Sequence, residues 1–205
     1  MWGMKQTILM IVAVALGGCA STPAWVSDPS DENNVKIEAA IRKAAKKPTG
    51  ELTKSDLEKV TGLSFHSDQL TSVKGLEKLT QLYDLNLRDN KLTSVKGLEK
   101  LTRLRGLWLN DNQLTELPKG LEKLTQLERL SIDSNQLTDV TGLEKLTKLT
   151  ALTFSDNQLT DVKGLENLTQ LEVLYLHDNK LTSVKGLENL TQLRSLPLWN
   201  NQLTS

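Results

Sequence analysis

The 205-residue chain has one cysteine, two histidines and no net formal charge at neutral pH. A lone thiol, Cys19, leaves nothing for a disulfide framework, so the fold must be held by packing alone. Balanced charge without a basic stripe excludes the usual electrostatic footprint of a nucleic-acid binder. The longest apolar run, Ile8 to Leu16, is well short of the about 20 residues that a bilayer-spanning helix needs.

What the chain does have is leucine at regular intervals. Asparagine recurs at positions 90, 112, 135, 157, 179 and 201, with gaps of 22, 23, 22, 22 and 22 residues. Around Asn90 the frame is Leu79, Leu82, Leu85, Leu87, Leu92, Val95, Gly97 and Leu98. Six complete copies start at Leu57, Leu79, Leu101, Leu124, Leu146 and Leu168, and a seventh runs from Leu190 to Ser205. The first copy carries Val60 and Asp68 in place of leucine and asparagine, and the third has an extra residue around Leu117 and Pro118.

A fixed period of this length denotes a solenoid, in which each unit buries its apolar face only against its neighbours. Leu85 and Leu87 alternate with Asp84, Asn86 and Arg88, the pattern of a strand with one buried face, so each copy is expected to contribute one short strand. The asparagine side chain offers both an acceptor and donors, enough to satisfy turn groups that would otherwise be buried unpaired. Gly97 marks a turn that needs a left-handed backbone.

The spacing Leu82-x-x-Leu85-x-Leu87-x-x-Asn90-x-Leu92 resembles that of the leucine-rich repeat family, in the 22-residue bacterial form seen in internalin-like surface proteins. The resemblance covers roughly three quarters of the chain. It implies an α/β repeat solenoid, an arc with a parallel sheet on its concave face and a helical cap at the N-terminal end. Residues 57–205 are the expected repeats.

Residues 1–18 read as a signal peptide, with Lys5 ahead of the apolar run. Leu16-Gly17-Gly18-Cys19 resembles a bacterial lipobox, which implies lipidation, including palmitate, at Cys19; the alternative is an ordinary signal peptide with Cys19 incidental. Ala20 after the cysteine implies, by resemblance to Gram-negative lipoproteins, the outer membrane of the cell envelope. Removal of the signal peptide leaves 24 basic and 25 acidic residues. Residues 19–32, with Pro23 and Pro29, are expected to be a flexible tether. Trp25 within it either meets the membrane interface or packs on the neighbouring domain.

Residues 33–56 are the expected cap. Ile37, Ala40, Ile41 and Ala44 fall on one helical face between Asn33 and Lys47, and Pro48 ends that helix. Thr53 and Asp56 form a capping box leading into the first repeat. No comparable cap follows the last repeat. Truncation, fraying or edge-to-edge pairing would each account for that end.

Function is sought in the slots that vary between copies. The middle column of the sheet is Ser64, Asn86, Trp108, Ser131, Thr153, Tyr175 and Pro197. Beside it run His66, Arg88, Asn110, Asp133, Ser155, His177 and Trp199. Exposed tryptophan, tyrosine and arginine dominate interface energetics. Two contact clusters are therefore expected on the concave face: Arg88, Trp108 and Arg129 near one end, and Tyr175, His177 and Trp199 near the other. The ladder of Asn90, Asn112, Asn135, Asn157, Asn179 and Asn201 is structural.

Catalysis is disfavoured. His66 and His177 would lie five strands apart, roughly 24 Å, leaving only the arrangement of His177, Asp178 and Ser155 to weigh. The aspartates at 89, 111, 156 and 178 lack the clustered oxygens of a calcium loop and read as solvated strand ends. The Lys and Glu columns on the outer side, such as Lys74, Glu77 and Lys78, read as solvated faces. The expectation is a non-enzymatic protein without metal or cofactor, anchored to the envelope through Cys19, that binds a protein partner. Recognition of envelope glycan or peptidoglycan is the alternative, and a structural spacer a third.

Overall fold

The computed structural model describes residues 24–204. Strands β1 (Gly62–Ser64), β2 (Asp84–Asn86), β3 (Gly106–Trp108), β4 (Arg129–Ser131), β5 (Ala151–Thr153) and β6 (Val173–Tyr175) form one parallel sheet in sequence order. Their central leucines pair in register, Leu63 on Leu85, Leu107, Leu130, Leu152 and Leu174. In-register leucines follow from the period: a step of one coil returns each side chain to the same place one strand along. The chain is thus an α/β solenoid whose sheet lines the concave face.

The core is a continuous column of leucine with Phe65, Ile132 and Phe154 in strand-end slots. Each coil returns along the outer side through a turn that starts at a glycine. Gly97 has φ 105° and leads into the 3-10 turn Leu98–Lys100. The glutamate two residues on folds back, as Gly97 N–H donates to Glu99 at 2.7 Å. The same contact recurs at Gly75, Gly142, Gly164 and Gly186. The outer glutamates thus cap backbone as well as meeting solvent. A groove of about 470 Å³ beside the extra residue of the third repeat is lined by residues that include Val95, Leu114, Leu117 and Pro118.

Each asparagine of the ladder joins its own turn to the preceding coil. Asn135 Oδ1 accepts from Leu114 N–H at 3.0 Å, and its Nδ2 donates to Leu109, Ile132 and Asp133 carbonyls at 3.0, 3.2 and 3.0 Å. The residue before each asparagine lies in the left-handed region, with φ between 50° and 57° at Asp89, Asp111, Ser134, Asp156, Asp178 and Asn200. Among L-residues, aspartate and asparagine tolerate that conformation best, which explains the acidic column without a cation.

Helix α1 (Glu32–Ala45) starts one residue before the expected boundary. Asp31 caps it by accepting from the Asn33 and Asn34 amides. It ends at Ala45, two residues short of Lys47, because Lys46 turns left-handed at φ 54°. Ile37 and Ile41 are fully buried against the first coil, so α1 closes that end of the core. In the short helix α2 (Lys54–Glu58), Thr53 and Asp56 make the expected reciprocal cap.

Two expectations need correction. The tether over 19–32 is not free from residue 24 on. Trp25 is buried at 4% exposure, its indole N–H donates to Glu38 at 3.0 Å, Lys78 lies 5.5 Å from the ring centroid, and the ring covers Gly75. A large apolar ring beside an open coil end gains more by packing than by remaining in a solvated linker. The membrane-interface reading of Trp25 falls with it. The signal peptide, Cys19 and the first part of the tether lie outside the described residues.

The seventh copy forms no strand, only a bridge between Val173 and Ser195. Pro197 occupies the middle-column slot and has no N–H for the ladder. Its carbonyl still accepts from Leu176 at 3.1 Å, so the coil stays stacked.

Candidate functional site

On the concave face the slots alternate with core leucines, so side chains not needed for stacking stand toward solvent. The second expected cluster is assembled. The His177 and Trp199 rings stack with centroids 4.4 Å apart and 14° between planes, and Tyr175 is 6.4 Å from His177. Trp199 remains 58% exposed. His177 Nδ1–H donates to Asp178 at 2.7 Å, and Asn200 donates to the same carboxylate at 2.7 Å. Those two hydrogen bonds, the histidine's first, hold the Asp178 carboxyl below its ordinary range.

The first expected cluster forms differently. The Arg129 guanidinium lies 5.9 Å from the Trp108 centroid and 3.8 Å from Asp84. The far edge of the Trp108 ring lies over Gly106, where an added Cβ would come 2.5 Å from the ring and 2.5 Å from the Asp84 carboxylate. Arg88 does not join them: its amide is engaged by Asn86, and among the described residues its guanidinium has no hydrogen-bond or ion-pair partner. A neighbouring group was missed in the sequence. Tyr83, 36% exposed, has the guanidiniums of Arg103 and Arg105 at 5.7 and 5.8 Å from its centroid. Arg103 also donates to Gln81, and Arg105 lies 3.4 Å from Glu128. The signal was present, since the slot of Tyr83 reads Thr61, Tyr83, Arg105, Glu128, Thr150, Glu172 and Arg194 from copy to copy.

Between the two ends the face is polar and braced by side-chain hydrogen bonds, although Asn110 Oδ1 and Ser155 Oγ have no partner among the described residues. Asp133 accepts from Asn110 at 2.6 Å, Ser131 at 2.9 Å, Thr153 at 2.5 Å and the Ser155 amide at 2.7 Å. Four donors on one carboxylate make this a cross-coil brace rather than a base poised to react. Ser155 Oγ is buried and has no hydrogen-bond partner among the described residues. It is therefore not engaged by His177, and a nucleophile–base pair is not assembled there. The described residues contain no group of three or more metal-ligating side chains. His66 is exposed at the other end of the face.

The leucine-rich repeat region family matches residues 84–204. No curated protein matches the chain. Among solved structures, a leucine-rich repeat protein of Leptospira interrogans is 32% identical with a TM-score of 0.70 over 75% of this chain. The chain spans only 41% of that protein's length. Internalin C2 of Listeria monocytogenes is 28% identical, TM-score 0.53, over 90% of this chain and all of the other. Internalin F of the same species is 25% identical, TM-score 0.55, over 92% of this chain and 68% of its own.

Proposed function

This chain belongs to the leucine-rich repeat family, and from that membership we propose that it is a binding protein of the bacterial envelope, using its concave face to hold a protein partner. The observation that carries the reading is the Tyr175, His177 and Trp199 group. Stacking of the coils does not require it, yet three rings converge there with one indole largely open. Rigid aromatic surface of this kind gives large contact area at low entropic cost. The Leptospira and Listeria neighbours support the setting, as bacterial proteins built on the same repeat.

Display at the envelope is part of the proposal. Lipidation of Cys19 would anchor the chain, by the lipobox resemblance in the outer membrane. Incorporation of labelled palmitate, abolished by Cys19→Ala, tests the anchor. Unchanged labelling in that variant would remove it.

A second reading has one observation in its favour. Asp178 and Asn200, the chain neighbours of His177 and Trp199, are joined by a hydrogen bond of 2.7 Å beside an indole that is 58% exposed, a combination of polar and aromatic groups that also suits a sugar ring of envelope glycan or peptidoglycan. Pull-down from envelope extracts with the wild type and with Tyr175→Ala and Trp199→Ala decides between them. A protein recovered by wild type and lost with both variants supports the first reading. Co-sedimentation with peptidoglycan, lost in the same variants, supports the second. A structural spacer predicts that both assays are silent.

A further inference from the structure

The opposite end of the concave face carries chemistry of another kind. Three of the chain's six arginines, Arg103, Arg105 and Arg129, lie on neighbouring coils within one small area. Each guanidinium rests near an aromatic ring: Arg103 and Arg105 at Tyr83, Arg129 at Trp108. The seat is built into the coil. Gly106 stands where other copies have Gly62, Asp84, Arg129, Ala151, Val173 or Ser195, and the missing Cβ leaves room for the edge of the Trp108 ring over that strand.

The acids nearby do not consume these arginines. Glu128 and Asp84 make single contacts at 3.4 and 3.8 Å, and the Arg105 and Arg129 side chains remain 58% and 54% exposed. By contrast, Arg42 in the cap is held at 2.7 Å by Glu38 and is 22% exposed. A guanidinium on a ring face has its plane fixed and its outer N–H groups open, one of those of Arg103 excepted, which goes to Gln81; that favours recognition of a planar carboxylate. Three arginines against two acids leave one positive charge, too little to hold a polyanion by total charge.

We infer that this patch is a recognition site for a protein segment bearing a few carboxylates among apolar side chains, the carboxylates taken by Arg103, Arg105 and Arg129 and the apolar groups by Tyr83 and Trp108. The inference deepens the concave-face reading and rests on it. It places an acidic contact on the partner, three to four coils away from Trp199.

The test uses the full-length chain in neutral detergent, labelled with ¹⁵N at arginine. The probe is a short synthetic peptide of alternating glutamate and leucine. On titration the Nε–H signals of Arg103, Arg105 and Arg129 are expected to shift, while those of Arg42 and Arg194 stay. Arg103→Lys with Arg105→Lys is expected to weaken the peptide about tenfold, because an ammonium cannot reproduce the fork. Gly106→Ala weakens it too, by displacing Trp108, and Arg194→Lys leaves it unchanged.

The inference is overturned if the glutamine version of the peptide moves the same signals, if Arg194 moves with them, or if heparin or inorganic phosphate binds as well as the peptide. Its failure is separable from that of the concave-face reading. Capture of an envelope protein that needs Tyr175 and Trp199 but ignores Arg103 and Arg105 would sink only the present inference.

Discussion

The imidazole of His177 lies against the indole of Trp199, 4.4 Å between centroids and 14° from parallel, while Trp199 itself stays 58% exposed. The pair joins the sixth coil to the seventh through surface rather than core. Trp199→Ala is therefore expected to cost only about 1 kcal/mol of stability, seen as a small change in thermal midpoint. Partner capture should fall in the same variant. A large loss of stability would show that the ring is structural and would remove it from the binding surface.

The asparagine ladder predicts the opposite balance. Asn135 is buried and engages one amide and three carbonyls across two coils. Asn135→Ala leaves several of these without a partner, for a cost of about 3 kcal/mol or more. Urea unfolding measures the cost, and hydrogen exchange at the Leu114 amide locates it. Because coils couple to their nearest neighbours, exchange should rise first on either side of the third and fourth coils.

Trp25 is tied into the cap by Glu38, Gly75 and Lys78. Replacing it with alanine empties a site of indole size next to α1 and is expected to cost about 3–5 kcal/mol. Limited proteolysis should then cut at Lys36 or Arg42 faster than in the wild type. Equal cleavage rates would restore the view of residues 24–31 as a passive tether.

Asp56 predicts an acid-sensitive cap. Its carboxylate accepts from the Thr53 hydroxyl at 2.7 Å, from Lys47 at 2.9 Å, from the Thr53 amide at 3.0 Å and from Lys59 at 3.2 Å. These contacts, the Thr53 hydroxyl first and Lys47 next, hold its carboxyl well below the ordinary value of 3.8. A depressed carboxyl stabilises the fold above its unfolded-state value, and that contribution is lost as the pH falls below it. Wild type should exceed Asp56→Asn in thermal midpoint at neutral pH, with the gap narrowing as pH falls from about 4. A gap independent of pH would show that the carboxylate charge is not what holds the cap.

Much of this was legible before any coordinates. The leucine frame, the asparagine ladder and the left-handed Gly97 turn follow from repetition, since an error in one coil would be an error in all. The left-handed slot before each asparagine was also visible, as aspartate, serine or asparagine in every copy, but in sequence it reads as solvated strand ends rather than as a demand of the backbone. The aromatic group at Tyr175 was legible because strand columns carry it one coil apart in register. Arg88 was misplaced because a column position says where a side chain starts, not where a long, flexible one ends. Tyr83, Arg103 and Arg105 were missed because they lie just outside the alternating strand, where periodicity has nothing to say about exposure.

Repetition alone determined the solenoid, its sheet, its ladder and which slots are free to vary, because identical coils can bury identical leucines in only one stacked arrangement. The tertiary structure decided what occurs once: the packing of Trp25 on Gly75, the ring of Trp108 laid over Gly106, the strand lost at Pro197 and the arginines gathered at Tyr83. Such contacts join residues from different copies through side-chain conformation, and a one-dimensional period carries no information about side-chain conformation.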